Sequence, residues 1–200
     1  MNLLTGCSYT ECWTSFRGVN LSRSGYGLDR SIRTVLEYTF TTTPSAVLVQ
    51  LSYADRMDTR TVLPGVEIEG PYVQDQQLCY DVLKRSVSSY FQWDKLFTNL
   101  ITFCAWLRTQ NIPYLVWDQC NSFDVAHFTQ FSAMRKLGWI TQDPGIINPF
   151  AFCANSYIAQ QGGVFETDPV QHHYTDIELE TILKPRLQRH IEEHKLGINL

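Results

Sequence analysis

Apolar positions in this chain switch between short continuous runs and helical spacings, and the switches mark its elements. Asn2-Leu3-Leu4-Thr5 predicts a short buried strand broken at Gly6, after which Cys7-Ser8-Tyr9-Thr10 opens a helix. Gly18 to Ser22 predicts a second short strand, running into a loop, Arg23-Ser24-Gly25-Tyr26-Gly27, whose two glycines permit positive φ or a close approach to a ligand. Leu28, Ile32, Val35 and Leu36 share one face of a helix expected from Leu28 to about Phe40. Thr43 before Pro44 ends it, because the residue preceding proline avoids the helical region. Ala46 to Leu51 is the clearest strand: a β-branched apolar run suited to a central parallel strand covered on both faces.

Residues 57 to 75 hold scattered Pro and Gly without a period and predict an irregular excursion, long enough to shape a binding face. From Asp75 to Arg108 the spacing predicts two helices meeting near Gln92-Trp93-Asp94, the second with Leu96, Phe97, Leu100, Ile101, Cys104 and Leu107 on its apolar face. Tyr114-Leu115-Val116-Trp117 predicts another buried strand with Asp118 at its end. A helix from Phe128 to Leu137 is expected to stop at Gly138, and Gly145 to Gly163 reads as irregular. Thr175-Asp176-Ile177-Glu178 is a capping box. It opens a last helix carrying Ile177, Ile182, Leu183, Leu187 and Ile191, interrupted or kinked at Pro185. Strands alternating with helices predict βαβ units and a parallel sheet in an α/β fold.

Length and composition narrow this to one domain, 1–200, long enough to bury about 70% of its unfolded surface. Hydrophobic residues make up 44% and charged residues 18%, which excludes a disordered chain. The net charge of −4 argues against a nucleic-acid binder, which would carry a basic stripe. Six scattered cysteines with no CxxC and no Cys/His cluster at zinc spacing predict free thiols, no metal and no cofactor. With no signal peptide and no apolar run of membrane-spanning length, the expectation is a soluble, cytoplasmic protein.

Candidate chemistry enters at Ser8. A strand, a glycine and a serine at a helix start put a hydroxyl at the C-terminal end of a sheet, where open α/β sheets bind their ligands. The N–H groups of that first turn would stabilise developing negative charge, so Ser8 is a candidate nucleophile. The same residues, Ser8-Tyr9-Thr10-Glu11, also fit a capping box. Late in the chain, Asp168-Pro169-Val170-Gln171-His172-His173 sets an acid and two histidines on one loop. Such a pair serves a serine nucleophile: a neutral imidazole takes the serine proton, and the carboxylate fixes its tautomer and stabilises the cation. The alternatives are a solvated loop before a helix cap, or adventitious metal binding by the paired histidines.

These blocks, in this order, resemble the SGNH (GDSL-like) hydrolase superfamily, and the Gly6-Cys7-Ser8-Tyr9-Thr10 opening looks most like its divergent members from marine bacteriophage genomes. The resemblance implies a three-layer α/β/α sandwich with about five parallel strands, flavodoxin-like, and metal-free ester or acyl hydrolysis. Carried over, Ser8 is nucleophile and oxyanion donor through its N–H, Gly25 is the second donor, and Asp168 with His172 or His173 completes the triad. The family's third donor is an asparagine after the central strand. Ser52-Tyr53-Ala54-Asp55 places Ala54 there, so the hydroxyl of Ser52 or the guanidinium of Arg56 would have to substitute. Losing such a donor costs about 3–4 kcal/mol of transition-state stabilisation.

Two functions therefore follow from the sequence. One is a serine esterase acting on a small ester or acylated glycan. The other is a silent SGNH-fold structural or binding protein, whose partners, by the bacteriophage resemblance, would be other virion proteins, with the host cytoplasm or the virion as its location.

Overall fold

The computed structural model describes residues 1–6, 13, 15–22, 27–51, 89–119, 133–163 and 174–200. Four parallel strands, β1 (Asn2–Thr5), β2 (Val19–Asn20), β3 (Ala46–Leu51) and β4 (Tyr114–Asp118), form one sheet in the order β2-β1-β3-β4. Leu3 pairs with Val19 on one side of β1 and with Val47 on the other, while Leu48 pairs with Leu115 across β3 and β4. Beyond β4 a parallel bridge joins Val116 to Ile146, with the Val116 N–H donating to the Gly145 carbonyl at 2.8 Å. The sheet expected to have about five strands thus has four among the described residues, and a single bridge where a fifth would lie.

Successive strand side chains point to opposite faces, and both faces are covered. Leu3, Val47, Val49, Leu51 and Val116 pack under α1 (Leu28–Thr39), α2 (Ser89–Thr109) and α3 (Ala133–Gln142). Leu4, Ala46, Leu48, Leu115 and Trp117 pack against Trp13, α4 (Ala154–Gln160) and the C-terminal helices. The result is a three-layer α/β/α sandwich, and its doubly covered sheet explains why these strands are continuously apolar rather than alternating.

Several elements depart from the sequence pattern for identifiable reasons. In α1 the buried positions are Leu28, Ser31 and Val35, with Ile32 and Leu36 half-buried on the flank. Ser31 tolerates burial because its hydroxyl donates to the Gly27 carbonyl at 3.1 Å. Helix α2 runs unbroken through 92–94, with Phe103 rather than Ile101 completing its buried face. It stops where Asn111 takes φ 54° ahead of Pro113. Helix α3 passes through Gly138, where an added Cβ would meet nothing, and ends at Gln142, two residues before Pro144. The stretch 145–163, read as irregular, contains α4.

The last segment is three pieces. Helix α5 (Asp176–Glu178) opens at Thr175, whose backbone N–H and hydroxyl both donate to the Glu178 carboxylate at 2.7 Å. A π turn (Leu179–Leu183) follows, then α6 (Lys184–Glu193), with Pro185 in its first turn. Proline removes an N–H and crowds the carbonyl four residues back, and the wider π turn just before it takes up both defects. Leu179, Leu183, Leu187 and Ile191 are buried, whereas Ile177, expected on the apolar face, is 72% exposed. Among the described helices none is long and apolar enough to cross a membrane.

Candidate active site

The strand order reverses between β1 and β3: the chain leaves β1 for β2 on one side and returns to β3 on the other. In open α/β sheets the crevice at that switch, outside the carboxyl ends of the strands, is where ligands bind. Among the described residues, four side chains at or next to these ends are fully buried and polar: Thr5, Gln50, Asp118 and Gln119.

Gly6 makes the turn out of β1 at φ +142°, and a Cβ there would lie 2.5 Å from the Gln50 carbonyl oxygen. Only glycine combines that backbone with that approach. Next to it, the Thr5 hydroxyl is buried and, among the described residues, has no hydrogen-bond partner. An unsatisfied buried hydroxyl costs about 1–3 kcal/mol and in a native fold calls for an explanation, which a position at a ligand crevice supplies.

A chain of amides spans the ends of β3 and β4. The Gln50 Nε2 donates to Gln119 Oε1, and Gln119 Nε2 donates to Asn155 Oδ1 at 2.7 Å. The Gln119 carbonyl accepts from the Asn155 N–H at 3.0 Å and from the Cys153 thiol at 3.1 Å. Burial pushes the Cys153 thiol upward in pKa, so this sulfur is a protonated donor rather than a thiolate nucleophile. Cys104 is raised the same way, chiefly by burial. Both are free thiols, as expected.

Two anchors close the edge from the C-terminal side. The Tyr174 hydroxyl donates to the Asn155 carbonyl at 2.8 Å, tying the start of the last helical segment to the end of β4. Trp13 is buried in the same layer as Tyr174, and its Nε1 donates to Glu180 at 2.5 Å. Ser15 also donates to Glu180, at 2.6 Å, and Lys184 pairs with it at 2.8 Å. Burial pulls the Glu180 pKa upward, but the hydrogen bonds from Lys184, Ser15 and Trp13 outweigh it and hold the carboxyl at about 2.

The residues singled out from the sequence, Ser8, Gly25, Ser52, Arg56, Asp168, His172 and His173, all lie outside the described residues. Their described neighbours do not. Gly6 stands two positions before Ser8 at the end of β1, Ser22 and Gly27 bracket Gly25 after β2, Leu51 ends β3 just before Ser52, and Tyr174 follows His173. The amide chain and the two anchors were missed by sequence reading, although polar Gln50 inside an apolar run and Asp118-Gln119 at a strand end were its visible signals.

No family model matches this sequence, and no curated protein matches it. Among solved structures the chain is similar to "Crystal Structure of TesA", at 14% identity over 97% of each chain with a TM-score of 0.48.

Proposed function

We propose that this protein is an SGNH-like serine ester hydrolase in which Ser8 is the nucleophile and His172 or His173, oriented by Asp168, the general base. The observation that carries the reading is the convergence at one sheet edge of the described residues flanking the candidates. Gly6 turns out of β1 at the topological switch point, and Tyr174 is tied through Asn155 and Gln119 to the end of β4. Ser8 follows Gly6 by two residues, a stretch of chain that spans at most about 7 Å, and His173 immediately precedes Tyr174. The remaining roles follow from the chemistry. The imidazole takes the Ser8 proton as the hydroxyl oxygen bonds to the acyl carbon, and the oxyanion accepts N–H donors from Ser8 and Gly25. Ala54 in place of the usual amide leaves Ser52 or Arg56 to supply the third contact.

Hydrolysis of p-nitrophenyl acetate and butyrate, measured with fluorophosphonate labelling, tests this. Turnover is expected to fall by at least about a thousandfold in Ser8→Ala and in a His172→Ala/His173→Ala double variant, with unchanged melting temperatures. Activity surviving in Ser8→Ala, or a folded wild type that neither turns over nor labels, rejects the hydrolase. The latter result favours the silent binding protein of the same fold, for which the bacteriophage-like opening proposes virion proteins as partners, read out by co-purification with particles.

A further inference from the structure

At the opposite edge of the sheet, three side chains on α6 and its C-terminal cap converge. His190, Glu193 and His194 follow the i, i+3, i+4 spacing of one helical face, and each presents a ligand atom within 4.8 Å of the others. The His190 and His194 rings lie 4.3 Å apart, centroid to centroid.

His190 is set up for one role in such a group. Its Nε2 lies 2.9 Å from the Pro144 carbonyl, an acceptor only, so Nε2 carries the proton and Nδ1 keeps its lone pair. A histidine whose second nitrogen donates to a carbonyl is the arrangement that fixes ring and tautomer in metal sites. The helix end is held tightly: Lys195 takes φ 54°, and the Leu196 N–H donates to the Ile191 carbonyl at 3.0 Å. The carbonyls of a helix C-terminus favour a cation there.

We propose that His190, Glu193 and His194 bind one borderline divalent transition-metal cation, Zn²⁺ foremost, with water in the remaining position. Two imidazoles and a carboxylate suit Zn²⁺, Ni²⁺ or Cu²⁺ and disfavour Mg²⁺ and Ca²⁺, which seek oxygen ligands. Because His190 also holds the Pro144 turn, the bound ion clamps α6 to the segment beside β4. It lies away from Gly6 and Gln119 and takes no part in the hydrolysis proposed above.

The test is calorimetric titration of the chelator-stripped full chain with ZnCl₂ at neutral pH. The wild type is expected to bind one equivalent tightly, and to gain melting temperature with Zn²⁺ but not with Mg²⁺. His194→Ala, an exposed position, is expected to lose more than about tenfold in affinity and all of the thermal gain, with Glu193→Gln weakened less. A His172→Ala/His173→Ala variant is expected to bind as the wild type does. Affinity unchanged in His194→Ala, or lost with His172 and His173 instead, overturns the assignment, whatever the outcome for ester hydrolysis.

Discussion

Gly6 is doubly constrained: its φ of +142° disfavours any side chain, and the Gln50 carbonyl oxygen stands 2.5 Å from where a Cβ would be. Gly6→Ala is expected to destabilise the fold by at least about 1–3 kcal/mol from backbone strain alone. The urea midpoint measures that loss; if the proposed hydrolase reading holds, the displaced turn lowers ester hydrolysis further than the stability change accounts for. Gly6 was legible as a break after Leu3-Leu4-Thr5. Gln119 was not, because an amide's meaning is set by its partners. Gln50 and Asn155 lie 69 and 36 residues away in sequence and meet it only once β3, β4 and α4 are packed.

At the scale of elements, local rules held where neighbours along the chain decide the outcome. The Thr175–Glu178 box, the end of α2 just after Arg108, and the strands at β1, β3 and β4 all depend on residues within a turn or a single pleat. They failed where the local signal was weak or where tertiary packing overrode it. Gly138 did not stop α3, since a glycine inside a helix costs only about 1 kcal/mol and nothing else opposed continuation there. The last segment shows both behaviours: a legible start, then a π turn that leaves Ile177 in solvent and carries Leu179 into the core.

Glu180 in that π turn gives an element-scale prediction. Its folded pKa of about 2 lies below the ordinary carboxyl value of 4.5, so the ionised form is the stabilising one. The stability it contributes is complete above about pH 5 and is lost as pH falls toward 2, because protonation removes the acceptor for Trp13, Ser15 and Lys184. Glu180→Gln is expected to flatten the thermal-stability profile between those limits while reducing stability near neutrality. Melting curves for both proteins, taken from neutral pH down through the acid range, check it; parallel profiles reject this role for Glu180.

The molecule as a whole has two differently built sheet edges. The carboxyl edge gathers Gly6, the amide chain and the Trp13 and Tyr174 anchors. The amino edge is pinned by Asp143, whose buried carboxylate accepts from the Tyr114 hydroxyl at 2.7 Å, the Arg108 guanidinium at 2.6 Å and the Gly145 N–H at 2.9 Å. Asp143→Ala is expected to cost about 3 kcal/mol of unfolding free energy, since it strands these donors, whereas Tyr114→Phe costs about 1 kcal/mol. Denaturant titration of both single variants and the double variant measures the coupling. Equal, small losses for both would mean the cluster is a solvated surface group.

Local sequence alone determined the α/β class, the parallel sheet, the interior position of β3 and the start of the terminal helical segment. Those follow from short-range physics: β-branched runs that suit a doubly covered sheet, prolines that restrict their predecessors, and caps that satisfy orphan N–H groups. Strand order, the reversal between β1 and β3, and the meeting of Gln50, Gln119 and Asn155 belong to tertiary structure. So does the placing of His190 against the Pro144 carbonyl, 46 residues away in sequence. Each of these depends on contacts between segments distant along the chain, which no local pattern encodes and which only the burial of both sheet faces brings together.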